Sequence, residues 1–240
     1  MLELSKKIKK ARCPYAAAVI VAGGSGTRFG ADKLTADLRG LPVVARSLLA
    51  FESAALVREI VLVARGDSLE NMRALAKRYH ITKLAAVVPG GDTRARSSCA
   101  GVMAVSPQAE LIAIHDGARP LVTDRIIENA LWDAYRHGAA VPAIAVRDTI
   151  KRAENHVVRE TPDRNTLFAV QTPQCFQADL IRAALLAAEK NAPEITDDCA
   201  AVERAGGQIW LSEGSEENIK ITTPLDLELA KRILDRREML

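Results

Sequence analysis

A glycine-rich segment near the N-terminus carries residue types that can hold a polyphosphate. An apolar run at 16–22 leads directly into three glycines, Gly23, Gly24 and Gly26. Because glycine has no Cβ, backbone N–H groups at these positions can approach phosphate oxygens closely. Arg28 and Lys33 follow and would supply mobile positive charge. The segment therefore predicts a loop that binds a nucleoside triphosphate.

Two other interpretations of this loop stay open: another kind of phosphate loop, and a purely structural turn. A P-loop needs the pattern Gly-x-x-x-x-Gly-Lys-Ser/Thr, which is absent here. A dinucleotide site favours an acidic residue after the second strand, whereas Arg65 follows the predicted strand Glu59–Ala64. The residues favour a triphosphate over a dinucleotide.

A second candidate site follows the predicted strand Leu84–Val88. Gly90 and Gly91 leave backbone groups exposed, and Asp92 can accept hydrogen bonds. Ser97 comes about one helical turn later and adds a hydroxyl. We favour recognition of a nucleotide base by these residues; the alternative is a tight turn followed by a helix cap.

The strongest metal ligand in the chain is Asp116, at the end of an apolar strand. Magnesium uses few carboxylates, several waters and substrate phosphate oxygens, so one aspartate is sufficient for Mg²⁺. The alternative is that Asp116 only pairs with Arg119 and braces the loop. The neighbouring His115 is expected to be a structural hydrogen-bonding group, as strand-end histidines often are.

Lys220 lies between two β-branched residues in a short predicted strand at 218–222. Strand alternation points its side chain away from those of Ile219 and Ile221. Taken alone, Lys220 is an ordinary surface charge. A role in chemistry follows only from its place in the whole pattern.

Composition predicts one large α/β domain over residues 1–240, since 240 residues with 48% hydrophobic content can bury a sizeable core. The formal net charge is +3, and the dense basic run at 6–12 is expected to be solvated. With 4% aromatic residues there is little for bases to stack on, so we expect no nucleic-acid partner.

The four cysteines are far apart and show no zinc-ligand spacing, which favours a reduced, cytoplasmic protein. No run of eighteen apolar residues is present, so neither a membrane span nor secretion is expected.

Strand-like and helix-like patterns alternate along the first 146 residues, which predicts a mainly parallel sheet with helices on both faces. The predicted strands are 16–22, 58–64, 84–88, 110–115 and 140–146, and the predicted helices are 42–54, 67–79, 94–105 and 124–137. Thr123 should cap the fourth helix, and Pro224 should lie in the first turn of a last helix ending near Arg236.

The alternation stops at residues 147–174, where short β-type pieces surround turn-rich sequence. The pieces are predicted at 148–151, 156–159 and 167–171. This pattern is typical of a projecting β-arm with little core of its own, and a partner subunit is the expected packing surface. We therefore expect a homodimer.

In their order along the chain, these motifs resemble those of the 2-C-methyl-D-erythritol 4-phosphate cytidylyltransferases of the non-mevalonate isoprenoid pathway. The matching segments are 22–28, 90–94, 115–120, 146–151, 163–165, 171–174, 196–198 and 218–220. The chain departs from the common pattern at Asp32-Lys33-Leu34, where Pro-Lys-Gln is frequent, and at Gly23, where alanine is frequent.

The resemblance implies a Rossmann-like nucleotidyltransferase domain, magnesium dependence, and attack of an alcohol phosphate on the α-phosphorus of CTP. It implies catalytic roles for Arg28, Lys33, Arg164 and Lys220, and Asp116 as the metal ligand. The cytidine-binding set would be Ala22, Gly23, Gly24, Gly26, Gly91, Asp92 and Ser97. Thr149, Arg164, Arg119 and Thr172 would bind the second substrate, with the arm reaching in from the partner subunit.

Two alternatives stay open at this point. The first is a ribitol 5-phosphate cytidylyltransferase, whose CTP site would look nearly the same. The arm segments 147–149 and 163–165 favour the methylerythritol enzymes. The second is a catalytically inactive nucleotide-binding module, against which stands the presence of several cations suited to an α-phosphate.

Overall fold

The computed structural model describes residues 13–23, 33–191 and 195–239, with the backbone alone for 189–191. Within these ranges the strands are β1 Ala16–Ala22, β2 Asp37–Leu38, β3 Leu41–Pro42, β4 Val57–Ala64, β5 Leu84–Pro89, β6 Leu111–Asp116, β7 Ala139–Ala145, β8 Arg152–Glu154, β9 Val157–Glu160, β10 Phe168–Val170, β11 Gln174–Gln177 and β12 Trp210–Glu213. The helices are α1 Val43–Ser53, α2 Leu69–Arg78, α3 Arg94–Ala104, α4 Asp124–His137, α5 Ala178–Asn191, α6 Asp198–Arg204 and α7 Pro224–Glu238.

The central sheet has eight strands in the order β10-β7-β11-β6-β1-β4-β5, with β12 paired to β7. Strands β5, β4, β1 and β6 are parallel to their neighbours in that set, and β12 is parallel to β7. Strands β10 and β11 are antiparallel to the strands they pair with. The prediction of a mainly parallel α/β sheet is confirmed.

The two faces of β1 contribute to two different cores, as a buried central strand requires. One face packs with α1, α2 and α4 through side chains such as Ile20, Leu48 and Ile127. The other face packs with α3, α5 and α6 through side chains such as Val19 and Val102. Helices therefore cover both sides of the sheet, which fixes the strand ends in place.

Local sequence signals account for several helix ends. The hydroxyl of Thr123 accepts a hydrogen bond from the backbone N–H of Ile126 and caps α4, as predicted. Thr93 caps α3 in the same way. Pro224 occupies the first position of α7, and Thr223 with Asp226 forms a capping box there.

The arm differs in detail from the predicted pieces. Strands β8 and β9 form an antiparallel hairpin whose residues are all exposed. The third piece, β10, pairs instead with β7 in the main sheet. Lys220 lies in an irregular segment rather than the predicted strand, because residues 218–222 pair with no neighbouring strand.

Candidate active site

The carboxyl ends of the parallel strands meet along one edge of the sheet. Ala22 at the end of β1 is in register with Ala64 of β4, which is in register with Pro89 of β5. On the other side of β1, Val21 is in register with Asp116 of β6. Residues that follow these strands therefore lie close together, at the edge where open α/β sheets bind ligands.

A cavity of about 450 Å³ opens at this edge. Most of the predicted site residues that the structure describes line it: Ala22, Gly23, Lys33, Gly91, Asp92, Ser97, Asp116 and Lys220. Arg94 lines it as well, although no role had been predicted for that residue. Residues more than 100 positions apart in the sequence thus share one cavity wall.

The other predicted site residues lie elsewhere. Gly24, Gly26 and Arg28 fall outside the described residues. Thr149 and Arg164 are exposed on the arm, and neither is among the described residues that line the cavity. The Arg164 guanidinium donates to the backbone oxygen of Arg147 at 2.9 Å, so it is held on the arm's own backbone.

Asp116 is the electrostatic centre of the cavity wall. Its nearest cation is Lys220, with Nζ 2.7 Å from Oδ2. The Arg94 guanidinium lies at 3.5 Å and that of Arg119 at 4.0 Å. Burial alone raises the pKa of Asp116, but attraction to Lys220 and Arg94 outweighs burial and lowers this pKa well below its usual range. Asp116 is therefore a carboxylate near neutral pH.

These distances argue against the alternative in which Asp116 pairs with Arg119 alone. Arg119 is the most distant of the three cations, and its Nη1 donates to the backbone oxygen of Asn218 at 2.7 Å. The main partner of Asp116 is thus a cavity-lining lysine, and Arg119 supports the segment that carries it.

The segment bearing Lys220 is fastened although it is not a strand. Asn218 is fully buried, and its side-chain amide donates to the backbone oxygen of Thr172 at 3.0 Å. The backbone N–H of Ile221 donates to the oxygen of Ala118 at 2.8 Å. These anchors on either side of Lys220 fix where its ammonium group can reach.

His115 and Thr172 form a buried hydrogen-bonded chain beneath Asp116. Nε2 of His115 lies 3.1 Å from the backbone oxygen of Arg119 and must donate to it, since a carbonyl only accepts. Nδ1 then accepts from the Thr172 hydroxyl at 2.9 Å. That hydroxyl in turn accepts from the backbone N–H of Asp116 at 3.1 Å.

Burial lowers the pKa of His115 to about 4, so its imidazole is neutral at physiological pH. A structural role for His115 fits this geometry. Thr172, predicted to bind substrate, is buried, and its hydroxyl has partners within the chain. Its contact with the backbone of Asp116 links it to the cavity indirectly.

The turn before α3 leads into a capped helix, as one of the two interpretations predicted, and it also lines the cavity; recognition of a base there stays a prediction. A Cβ on Gly90 would lie 2.8 Å from the Ser97 hydroxyl oxygen, and one on Gly91 would lie 2.5 Å from the Arg96 Cβ. Both positions therefore need glycine. The carboxylate of Asp92 also pairs with Arg96 at 2.7 Å on the surface. The turn is thus a helix cap and a cavity wall at once.

Two residues that sequence reasoning left without a role occupy the wall behind Asp116. Arg94 donates through Nη1 to Oδ2 of Asp198 at 2.7 Å, and Asp198 is fully buried. Both residues lie in segments that carried the family resemblance. Their contact joins positions 104 residues apart, so no local pattern could have indicated it.

The described residues contain no group of three or more His, Cys, Asp or Glu side chains that could hold a metal by themselves. The donor set fits magnesium in a different way. Asp116 offers one charged carboxylate on the cavity wall, and Mg²⁺ commonly takes its remaining ligands from water and substrate phosphates.

A mainly parallel α/β sheet with a cation-lined cavity at its carboxyl edge, beside the glycine-rich sequence that follows β1, is the arrangement expected of a nucleotidyltransferase. Residues 16–236 match the family described as IspD, 2-C-methyl-D-erythritol 4-phosphate cytidylyltransferase. The chain belongs to this family.

Individual relatives agree with the family assignment. The 2-C-methyl-D-erythritol 4-phosphate cytidylyltransferase of Clostridium novyi (strain NT) is 42% identical over 91% of this chain and 96% of its own. The protein of that name from Halalkalibacterium halodurans is also 42% identical, over 92% and 97%. No helix among the described residues is long and apolar enough to cross a membrane.

Solved structures agree on the fold. The 4-diphosphocytidyl-2C-methyl-D-erythritol synthase of Anaerococcus prevotii matches with a TM-score of 0.83 and 27% identity, covering 93% of this chain and 97% of that one. The Thermus thermophilus 2-C-methyl-D-erythritol 4-phosphate cytidylyltransferase matches with a TM-score of 0.75 and 30% identity, covering 90% and 98%.

Proposed function

We propose that this chain transfers the cytidylyl group of CTP to 2-C-methyl-D-erythritol 4-phosphate and releases pyrophosphate. The observation that carries the proposal is the Lys220–Asp116 pair on the wall of a cavity that Lys33 also lines. A nucleotide-binding cavity needs cations for the triphosphate. A cation held by a carboxylate at the same edge is suited to charge that develops during the transfer.

The reaction needs no covalent enzyme intermediate. The phosphate oxygen of the alcohol phosphate attacks the α-phosphorus of CTP in line, and the bond from that phosphorus to the β-phosphate oxygen breaks. Such reactions depend on positioning and on neutralising charge in the transition state. Lys33 and Arg28 would stabilise the α-phosphate and the leaving pyrophosphate, and Lys220 would hold the attacking phosphate.

Magnesium fits this site through Asp116, as its charged state and position indicate. When bound, the ion would neutralise charge on the triphosphate of CTP. Lys220 would remain beside the same carboxylate, held there by the anchors around Asn218 and Ile221.

Cytosine recognition would fall to the turn before α3. Gly91, Asp92 and Ser97 line the cavity there, and backbone groups beside glycines can satisfy both the amino group and the carbonyl of cytosine. Uracil lacks that amino group, so it would leave one buried acceptor unpaired.

We propose further that the enzyme is a homodimer in which the arm completes the partner's site. Apolar side chains on the arm and its base are about half exposed: Val157 and Val158 at 54% and Phe168 at 46%. Thr149 and Arg164 lie outside the cavity of their own chain. An arm packed on a partner would cover the apolar residues and supply both polar ones to the second substrate.

The cysteines support a cytoplasmic location. None of the four forms a disulfide among the described residues, and burial raises the pKa of the Cys175 and Cys199 thiols, which keeps them protonated. Buried, protonated thiols suit a reducing compartment.

Pyrophosphate release by the purified protein tests the reaction. CTP and Mg²⁺ are supplied with 2-C-methyl-D-erythritol 4-phosphate, with ribitol 5-phosphate, or with no alcohol phosphate. Release with methylerythritol phosphate alone is the expected result. Release with ribitol phosphate alone would transfer the assignment to the second cytidylyltransferase class, and release with neither would leave a nucleotide-binding module.

A further inference from the structure

Asp198 is a fully buried carboxylate that the proposed reaction does not use. Its Oδ2 accepts from Arg94 Nη1 at 2.7 Å, and Arg94 lines the cavity. The other terminal nitrogen of the same guanidinium lies 3.5 Å from Asp116. One arginine therefore connects a buried carboxylate to the carboxylate on the cavity wall.

The backbone around Asp198 is held by groups outside the cavity wall. The side-chain oxygen of Gln174 accepts from the backbone N–H groups of Asp198 and Cys199 at 2.9 and 3.1 Å. Asp197 caps α6 by accepting from Ala200 N–H at 2.9 Å, and it receives the Gln174 amide at 2.7 Å. With four contacts fixing the start of α6, the Asp198 side chain presents a fixed acceptor to Arg94.

The distances from Arg94 to Asp198 and to Asp116 indicate the role of the Asp198 carboxylate. Arg94 is closer to Asp198 than to Asp116, by 2.7 against 3.5 Å. Burial lowers the pKa of Arg94, but attraction to Asp198 and Asp116 outweighs burial and raises it, so the guanidinium stays charged. Without Asp198, the nearest carboxylate left for Arg94 is Asp116, which already holds Lys220 at 2.7 Å.

We propose that Asp198 is a positioning residue for nucleotide binding, which holds Arg94 on the cavity wall as a contact for the phosphates of CTP and away from Asp116. The inference rests on the proposed use of CTP. It assigns Arg94 to the triphosphate and gives Asp198 a role without substrate contact.

A double-mutant cycle tests this proposal through CTP binding measured by calorimetry without magnesium. Asp198→Asn and Arg94→Gln should each raise the Kd for CTP roughly tenfold, the scale for one hydrogen bond to a charged group. If Asp198 acts through Arg94, the double variant should bind CTP no more weakly than Arg94→Gln alone. Asp198→Glu, which keeps the charge, should recover part of the affinity.

Glu203→Gln is the matched control, because it removes a carboxylate from the same helix, and Glu203 is exposed and is not one of the groups that fix Asp198. Its Kd for CTP should equal that of the wild type. An unchanged Kd in Asp198→Asn, or effects of the two single variants that simply add, would overturn the proposal.

A folding defect in the single variants would not leave the proposal untested. The double variant removes the buried Asp198 carboxylate and the Arg94 guanidinium together, and a wild-type Kd for CTP in that protein would overturn the role of the pair. Turnover is measured separately in the wild type. Absence of pyrophosphate release by the wild type would contradict the proposed function. The double-mutant cycle on CTP binding tests only the role of Asp198.

Discussion

The cavity at the strand ends and the arm at residues 147–174 differ in how much of their surface is buried within the chain. Asp116, on the cavity wall, is buried and lies near three cations, two of which, Arg94 and Lys220, come from distant segments. In the arm hairpin every residue of β8 and β9 is exposed, and the exposed Arg164 guanidinium donates to the backbone oxygen of Arg147 on the same arm.

This difference separates the two halves of the proposed reaction. In the proposed function the nucleotide half is built within one chain, where the packing of the sheet fixes Asp116 and the rest of the cavity wall. In the proposed dimer, the half that receives the alcohol phosphate depends on what the arm packs against. Substitutions in the cavity should therefore act on CTP binding or on the chemical step, and substitutions on the arm should act on use of the second substrate.

The largest effect is expected for Lys220→Ala, which removes the cation nearest to Asp116. Turnover should fall by at least ~100-fold, the scale for losing one contact to transition-state charge. Steady-state pyrophosphate release measures it. Lys231→Ala is the control, since Lys231 pairs with Glu228 on α7. Equal kcat values for the two variants would remove Lys220 from the mechanism.

Acid should destabilise the cavity side through His115. Its pKa falls from 6.5 to about 4 on burial, so the unfolded chain binds more protons than the folded chain between these values. Stability from His115 is complete above pH 6.5 and is lost as the pH falls. The free energy of unfolding should drop by about 2 kcal/mol between pH 7 and 5 from this residue.

Urea titrations at both pH values check the loss of stability. His115→Gln has no imidazole to protonate, so its unfolding free energy should change less over the same range. A pH dependence identical to that of the wild type would show that other groups control acid stability.

Arg164→Ala tests the arm. If Arg164 holds the alcohol phosphate, KM for that substrate should rise roughly tenfold, as expected for one charge-assisted hydrogen bond, while KM for CTP stays unchanged. Arg159→Ala is matched to it, because Arg159 lies on the same arm and pairs with Glu154. Equal KM values in both variants would exclude Arg164 from substrate binding.

The smallest effect is expected at Asp92, which lines the cavity and also pairs with Arg96. Asp92→Ala should raise KM for CTP by about fivefold, the scale for one modest hydrogen bond. Arg96→Ala breaks the same surface ion pair without changing a residue assigned to the cavity wall. An equal rise in both variants would show that the ion pair, rather than Asp92 itself, matters for CTP.

Much of the fold could be predicted because hydrophobic patterns are local. Strand β1 and helix α4 occupy the predicted ranges, and Thr123 caps α4 as expected. Elements after the arm were harder to predict from the sequence: β12, α5 and α6 were not among the predicted elements. Strand β12 has three exposed positions among its four and gives a weak pattern.

The site residues also divide into those that a local sequence pattern predicts and those that only folding brings together. The places of Gly23, Lys33 and Asp116 on the cavity wall could be predicted, because each follows a recognisable strand or lies in a motif. The partner of Arg94 could not, since only folding brings Asp198 to it. Lys220 was identified through the family resemblance, although the strand predicted around it does not form.

Mixed dimers test the central claim, that one chain supplies the cavity and its partner supplies the arm. Arg164→Ala subunits, with about a tenth of the wild-type rate at low alcohol phosphate, and Lys220→Ala subunits, with about a hundredth or less, are unfolded together and refolded at equal concentrations. Half of the resulting dimers would combine the two variants, and one of their two sites would have both residues intact. Pyrophosphate release should then recover to about a quarter of the wild-type rate. No recovery, with mixed dimers shown to form, would contradict the claim and place the whole site within one chain.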